Sequence, residues 1–332
     1  MINQDLTQVF SEFNQIKVLI IGDVMIDSYL WGDVNRISPE APVPIVNVKK
    51  REKRLGGAAN VAMNIKSLGA SPILCSMVGQ DSDAEDLIKL LQENEMSSEG
   101  ILQSPDRVTT IKHRILAGHQ QMLRVDAEIT HPINETERVL LWQKIQTLLP
   151  QVQVVIFEDY DKGVLDQLLI NQVISLANEL NIPTVVDPKK RNFLFYEKAT
   201  LFKPNLKELK EGLKIEFEAD NLAELKNAVN LLRQKLKTKY AFVTLSERGV
   251  YISGDEVEYH QKAFLRTIAD VSGAGDTVIS VAALAMAMRL SPQLLAALAN
   301  LAGGLVCEYV GVVSINKEKL LSEAIRNNLE NL

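Results

Sequence analysis

Five short apolar runs recur along the chain, each followed by polar or helix-patterned sequence. They are KVLIIGD (17–23), PILCSMVG (72–79), VQVVIFED (152–159), IPTVVDP (182–188) and YAFVTLS (240–246). None alternates apolar with polar residues, so each predicts a strand buried on both faces. Between them, ETERVLLWQKIQTLL and DQLLINQVISLANEL carry the apolar spacing of helices. This alternation predicts an α/β fold with a mostly parallel central sheet covered by helices on both sides. In such sheets ligands gather beyond the carboxyl ends of the strands, where Asp23, Asp159, Asp187 and Ser246 fall.

Two segments break the rhythm. Residues 29–50 (YLWGDVNRISPEAPVPIVNVKK) hold three prolines and are too interrupted for a core strand or helix, while 109–126 read as two strands around Ala117 and Gly118. Together they predict a small β-lid over the strand ends. No repeat, low-complexity tract or long linker interrupts residues 1–332, which are expected to form one domain with this lid appended.

Bulk properties exclude several classes. A net charge of −6 argues against a general nucleic-acid binder, which usually presents a basic face. The two cysteines, Cys75 and Cys307, have neither CxxC nor Cys/His spacing, so neither a disulfide framework nor a zinc site is expected. The first residues lack the basic start and apolar core of a signal peptide, and no apolar run reaches the ~18 residues of a membrane span. A cytoplasmic location and no membrane partner are therefore expected.

Four stretches carry candidate chemistry. In DVSGAGDTVIS (270–280), Asp276 follows two glycines and precedes an apolar helical run; it either caps that helix or acts as a base beside a nest of backbone N–H groups that accepts an anion. In GDVMIDSY, Asp23 and Asp27 either grip sugar hydroxyls or make a strand-end turn and a cap. In RLGGAANVAMNIKSLGA, Gly56 and Gly57 permit close backbone approach, and Asn60 sits in the first helical turn. That stretch is neither a GxGxxG fingerprint nor a GxxxxGK[ST] P-loop, which disfavours a Rossmann dehydrogenase. In LFKPNLKELK, Asn205 and Glu208 have the spacing of a capping box, or alternatively Glu208 organises Mg²⁺ through water.

Taken together, GGAANVAMNIKSLGA, NLKE and DVSGAGDTVIS resemble, in order, the two signature regions and the N-x-x-E motif of the ribokinase-like (phosphofructokinase-B type) carbohydrate kinases. IIGDVMIDSYLWGDVNRISPEAPVPIV, HQQMLRVD and EDYDKGVL are similar to the heptose-7-phosphate kinase branch of that family, which serves ADP-heptose and lipopolysaccharide precursor synthesis. No general fold requirement asks for the string RISPEAPVP. The bifunctional members of that branch carry an HxGH nucleotidyltransferase motif that is not found in these residues. The resemblance implies a three-layer ribokinase-like fold, ATP and Mg²⁺ as cosubstrate and cofactor, and K⁺ in some relatives; separately, the lid's two-stranded piece would leave unpaired edges and an apolar face if isolated, which predicts a homodimer through paired lids.

It also implies roles. Backbone N–H groups around Gly273, Ala274 and Gly275 would form the anion hole for the transferred phosphoryl, and Asp276 would accept the sugar hydroxyl's proton. Asn205 and Glu208 would lie at the Mg²⁺ and phosphate edge. Thr244, Ser246, Gly249, Asn300 and Gly311 would line the nucleotide, and Asp270 and Ser272 are candidates for a monovalent cation. Asp23, Gly56, Gly57 and Asn60 would meet the sugar. The substrate's own phosphate needs cations; Lys162, Lys189 and Arg124 are the leading candidates, beside Lys112 and Arg114, and His119 is placed to approach the sugar. The expected activity is ATP-dependent phosphorylation of the anomeric hydroxyl of D-glycero-D-manno-heptose 7-phosphate. The alternatives are a kinase for another sugar or sugar phosphate, or a catalytically silent sugar-binding protein on the same fold.

Overall fold

The computed structural model describes residues 5–118, 120–218 and 221–332. Its main sheet comprises β1 (Lys17–Gly22), β4 (Ser71–Gly79), β5 (Ile101–Ser104), β8 (Val154–Glu158), β9 (Thr184–Asp187), β10 (Leu201–Phe202), β11 (Tyr240–Thr244), β12 (Val250–Ser253) and β13 (Glu258–Gln261). The strand order is β13-β12-β11-β10-β9-β8-β1-β4-β5, and only the β11-β12 and β12-β13 pairings are antiparallel. All five continuous apolar runs are strands of this sheet.

Their lack of alternation follows from helices on both faces. Val18, Ile20, Val154 and Ile156 point into one core with α1 (Leu6–Glu12), α2 (Ala58–Ser67), α3 (Ser82–Glu93), α8 (Ala274–Ala287), α9 (Pro292–Val306) and α10 (Lys317–Arg326). Leu19, Ile21, Val155 and Phe157 point into a second core with α4 (Glu135–Leu148), α5 (Gln167–Glu179), α6 (Leu206–Leu213) and α7 (Leu222–Leu236). The layers are therefore helix, sheet and helix. Helix α8 is buried from Asp276 to Ala285, which accounts for the all-round apolar sequence after its first turn.

A second, four-stranded sheet has the order β3-β2-β6-β7, from β2 (Val24–Ile37), β3 (Pro44–Gly57), β6 (Ile111–Ala117) and β7 (Gln120–Ala127). Residues 29–50 are less interrupted than their prolines indicate. β2 and β3 are continuous 14-residue strands paired from Val24↔Gly57 to Ile37↔Pro44. Pro39 and Pro42 fall in the 38–43 turn and Pro44 opens β3, positions where a missing N–H breaks no central ladder. His119, in the β6–β7 connection, lies outside the described residues.

Candidate active site

The site forms where β1, β8, β9 and β10 end beneath the start of α8. Gly273 is the N-cap of α8 at φ +78°, and no side chain caps the helix, so its positive end is left to other acceptors. Of the expected N–H nest, Ala274 turns its N–H to the Val271 carbonyl at 3.3 Å. Asp276, in the first turn of α8, is 7% exposed. Its Oδ2 accepts from Asn60 Nδ2 at 2.6 Å and its Oδ1 from the Tyr160 hydroxyl at 2.9 Å. Burial pushes the Asp276 carboxyl up to about 6; the Asn60 and Tyr160 bonds oppose this, and the negative charge of Asp187 adds to it. Such a carboxylate is both ionised and basic near neutral pH.

Asn60 reaches Asp276 because α2 begins immediately after Gly56 and Gly57. Gly57 stands at φ +57° and ψ −135°, a region that only glycine occupies readily, and a Cβ there would strike the Asp23 carbonyl oxygen. A Cβ on Gly56 would meet the Asp27 carboxylate. Asp23 is buried, and its carboxylate accepts from three backbone N–H groups: Tyr160 at 2.8 Å, Lys162 at 3.1 Å and Val164 at 3.1 Å. In this geometry Asp23 fastens the 160–164 loop to the end of β1. Asp159 faces the other core, accepting from Asn192 at 2.9 Å and Tyr196 at 2.7 Å.

Asp187, expected at a ligand-gathering strand end, completes the floor with three residues that were not singled out: Tyr160, Lys203 and Glu158. Lys203, 3% exposed, pairs with Asp187 at 2.8 Å. Lys189 pairs with Glu208 at 2.9 Å, lies 3.6 Å from Asp187, and sits over the Tyr160 ring at 5.2 Å. Burial disfavours the Asp187 charge, but Lys203 and Lys189 outweigh it and hold the carboxyl below its ordinary range. Glu158 is fully buried with neither carboxylate oxygen hydrogen-bonded. Burial, reinforced by Asp187 and Asp276, raises it well above its ordinary value. A sequence signal for Lys203 existed, since a lysine directly after the apolar LF of a strand requires a buried acid.

Where the nucleotide is expected, Asn205 and Glu208 make a reciprocal capping box at the start of α6, with both bonds at 2.8 Å. Asn205 also bridges to Thr244 at the end of β11. Ser246 and Gly249 both have positive φ, in the turn leading to β12. The Asn300 amide donates to the Lys262 carbonyl at 2.9 Å. The Asp270 carboxylate accepts from Ser272 N, Ser272 Oγ and Gly311 N, tying the α8 entry loop to the loop after α9. Among the described residues no group of three or more His, Cys, Asp or Glu is placed to hold a metal. Glu208 offers a carboxylate at this edge, a donor type that suits Mg²⁺ held mainly by phosphate oxygens and water.

The basic residues divide between two places. Lid register puts Asp27, Tyr29, Lys112, Arg114, Arg124 and Asp126 on one face. There Lys112 pairs with Asp126 at 3.1 Å and Glu128 at 2.9 Å, Arg124 pairs with Asp126 at 3.0 Å, and Arg114 pairs with Asp27. Lys162 joins this group through Glu128 at 2.8 Å. Lys189 instead belongs to the Glu208 and Asp187 cluster.

The pattern of the pfkB family carbohydrate kinases matches residues 15–319. The chain is 42% identical over 318 residues to the bifunctional protein HldE of Magnetococcus marinus, covering 94% of this chain and 64% of that protein. It is 38% identical over 304 residues to the bifunctional protein HldE of Helicobacter pylori, covering 92% and 65%. The chain thus spans a little under two-thirds of these curated relatives. Among solved structures, phosphofructokinase-2 from Escherichia coli in complex with potassium superposes with a TM-score of 0.77 at 19% identity, covering 94% of this chain and all of that one. Arabidopsis thaliana ribokinase complexed with ribose and ATP gives 0.71 at 15% identity, covering 92% and 98%.

Proposed function

The chain belongs to the pfkB family of carbohydrate kinases, and we propose that it transfers the γ-phosphoryl of ATP to the anomeric hydroxyl of a heptose 7-phosphate, giving the 1,7-bisphosphate. The observation that carries the chemistry is Asp276: a buried, raised carboxylate at the uncapped start of α8, with Asn60 and Tyr160 fixing its two oxygens. The sugar hydroxyl gives its proton to a free lone pair of Asp276 as its oxygen forms the bond to phosphorus. The bond from that phosphorus to the β-phosphate oxygen breaks, and ADP leaves. The positive end of α8, through N–H groups around Gly273 and Gly275, faces the negative charge on the phosphoryl in transit.

Gly56, Gly57 and Asn60 bring backbone and amide close to the sugar, with Asp23 holding the 160–164 loop behind it. Asn205, Thr244, Ser246, Gly249, Asn300 and Gly311 are assigned to the nucleotide side. Glu208 would hold Mg²⁺ through water, and that ion neutralises charge on the β- and γ-phosphates when bound. Asp270 and Ser272 are the groups assigned to a monovalent cation; the neighbouring phosphofructokinase-2 structure contains potassium.

The heptose assignment is supported by the RISPEAPVP, HQQMLRVD and EDYDKGVL resemblance and by the relatives named HldE. We assign the substrate's phosphate to the lid-side cations Lys162, Lys112, Arg114 and Arg124, and Lys189 to the nucleotide edge. On the opposite face of the lid, Leu123 and Val125 are 53% and 47% exposed, which supports a homodimer through paired lids. No helix among the described residues is long and apolar enough to cross a membrane, and we assign a cytoplasmic location. A panel of phosphorylated heptoses and hexoses, assayed with ATP by ADP release, tests the reading. The heptose 7-phosphate should be the best substrate; ADP release independent of any sugar would contradict it.

A further inference from the structure

Tyr160 lies in the EDYDKGVL stretch, yet nothing in the sequence assigns it a role. Its backbone N–H donates to Asp23 at 2.8 Å, its hydroxyl donates to Asp276 Oδ1 at 2.9 Å, and its ring lies under the Lys189 ammonium, which in turn pairs with Glu208. One residue therefore touches the loop anchor, the proton acceptor and the nucleotide-edge cation. Burial raises the phenol well above its ordinary value, and the charges of Asp276, Glu158 and Asp187 add to this, so the hydroxyl keeps its proton and acts as a donor.

We propose that Tyr160 is a positioning residue for phosphoryl transfer, whose hydroxyl fixes the Asp276 carboxylate so that a free lone pair is aimed at the sugar hydroxyl. The inference rests on the kinase reading of Asp276. A carboxylate on a side chain can rotate, and Asn60 restrains only Oδ2. The Tyr160 bond at Oδ1 supplies the second restraint, which sets the plane of the carboxylate. It also stabilises the ionised form, opposing the burial that disfavours it.

The groups facing Asp276 are Glu158 from β8, Asp187 from β9, Lys203 after β10, Asn60 from α2 and Tyr160. Deleting one hydroxyl alters only the last of them. Tyr160→Phe keeps the ring under Lys189 and the backbone bond to Asp23, so the fold and the nucleotide edge are retained.

Two measurements on the full chain test the inference. The first follows the Asp276 carboxyl carbon by NMR through a pH titration, assigned by its loss in Asp276→Asn. In Tyr160→Phe its midpoint should move up by roughly half to one pH unit. The second measures ATP- and sugar-dependent turnover: kcat should fall about tenfold, KM for ATP should stay within about twofold, and the acid limb of the kcat profile should move up with the titration. An unmoved midpoint, or an unchanged kcat and pH profile in an active enzyme, overturns the inference. If the unaltered protein turns over no sugar phosphate, the kinase reading fails, while the titration still decides whether Tyr160 holds the carboxylate.

Discussion

Replacing Asp276 by asparagine should make the protein both inactive and more stable. The introduced amide fits the site: its oxygen accepts from Asn60 and its NH₂ donates to the Tyr160 hydroxyl, which can accept as well as donate. What is lost is a proton acceptor, which typically contributes about 10²- to 10⁴-fold to rate. What is relieved is a buried charge. The carboxyl stands at about 6 against an ordinary 3.8, so holding it ionised costs roughly 3 kcal/mol at pH 8. Because the folded value is raised, the stability that Asp276 contributes is fully present below 3.8 and is lost as pH rises through about 6. Asp276→Asn should therefore unfold several degrees above the unaltered protein at pH 8, with the gap closing toward pH 4. Thermal unfolding across that range and turnover at pH 8 are the assays. Turnover within tenfold of normal would refute the base assignment, and a gap that does not depend on pH would refute the buried-charge account.

Three further outcomes follow from the same geometry. Glu208→Gln should raise the Mg²⁺ concentration for half-maximal rate more than it alters sugar KM, because it removes charge from the ion's outer shell; an unchanged Mg²⁺ dependence would leave Glu208 with only its capping and Lys189 contacts. Lys162→Met should impair use of the phosphorylated sugar and leave KM for ATP near normal, whereas Lys189→Met should do the reverse; the opposite pattern would return the phosphate site to Lys189. Light scattering at micromolar concentration should give a dimer that Leu123→Lys converts to monomer, and a fully active monomeric unaltered protein would contradict pairing through the lid.

The parallel sheet was legible because burial on two faces writes itself as unbroken apolar runs, as in β1 and β8. β10 showed only as a strand end marked by Pro204, because Leu201–Phe202 is too short to show a period. The length of β2 and β3 was hidden for a different reason: beyond the buried ends at Val24, Ile26 and Leu55, the strands are mostly exposed and are held there by cross-strand pairing rather than by a core. In the site, glycine-marked positions such as Gly57 and Gly273 were readable because backbone geometry demands them. The roles of Tyr160 and Glu158 were not, although both lie in the EDYDKGVL stretch. Tyr160 meets Asp276 across 116 residues of sequence, and a glutamate after an apolar strand reads as a surface residue until the sheet and α8 enclose it.

The proposed reaction is phosphoryl transfer to the anomeric oxygen of a sugar that already bears a phosphate. ³¹P NMR of the protein with ATP, Mg²⁺ and D-glycero-β-D-manno-heptose 7-phosphate tests it most directly, run beside the same heptose without its phosphate. A phosphate held by two or three of the four assigned lid-side cations gains charge-assisted bonds of ~1.5–3 kcal/mol each, so losing it should lower kcat/KM at least about a hundredfold, or roughly 2.7 kcal/mol. A new phosphate resonance split by the sugar H1 is expected, together with that gap between the two sugars. A phosphate appearing at any other position, or comparable kcat/KM for the two heptoses, would contradict it.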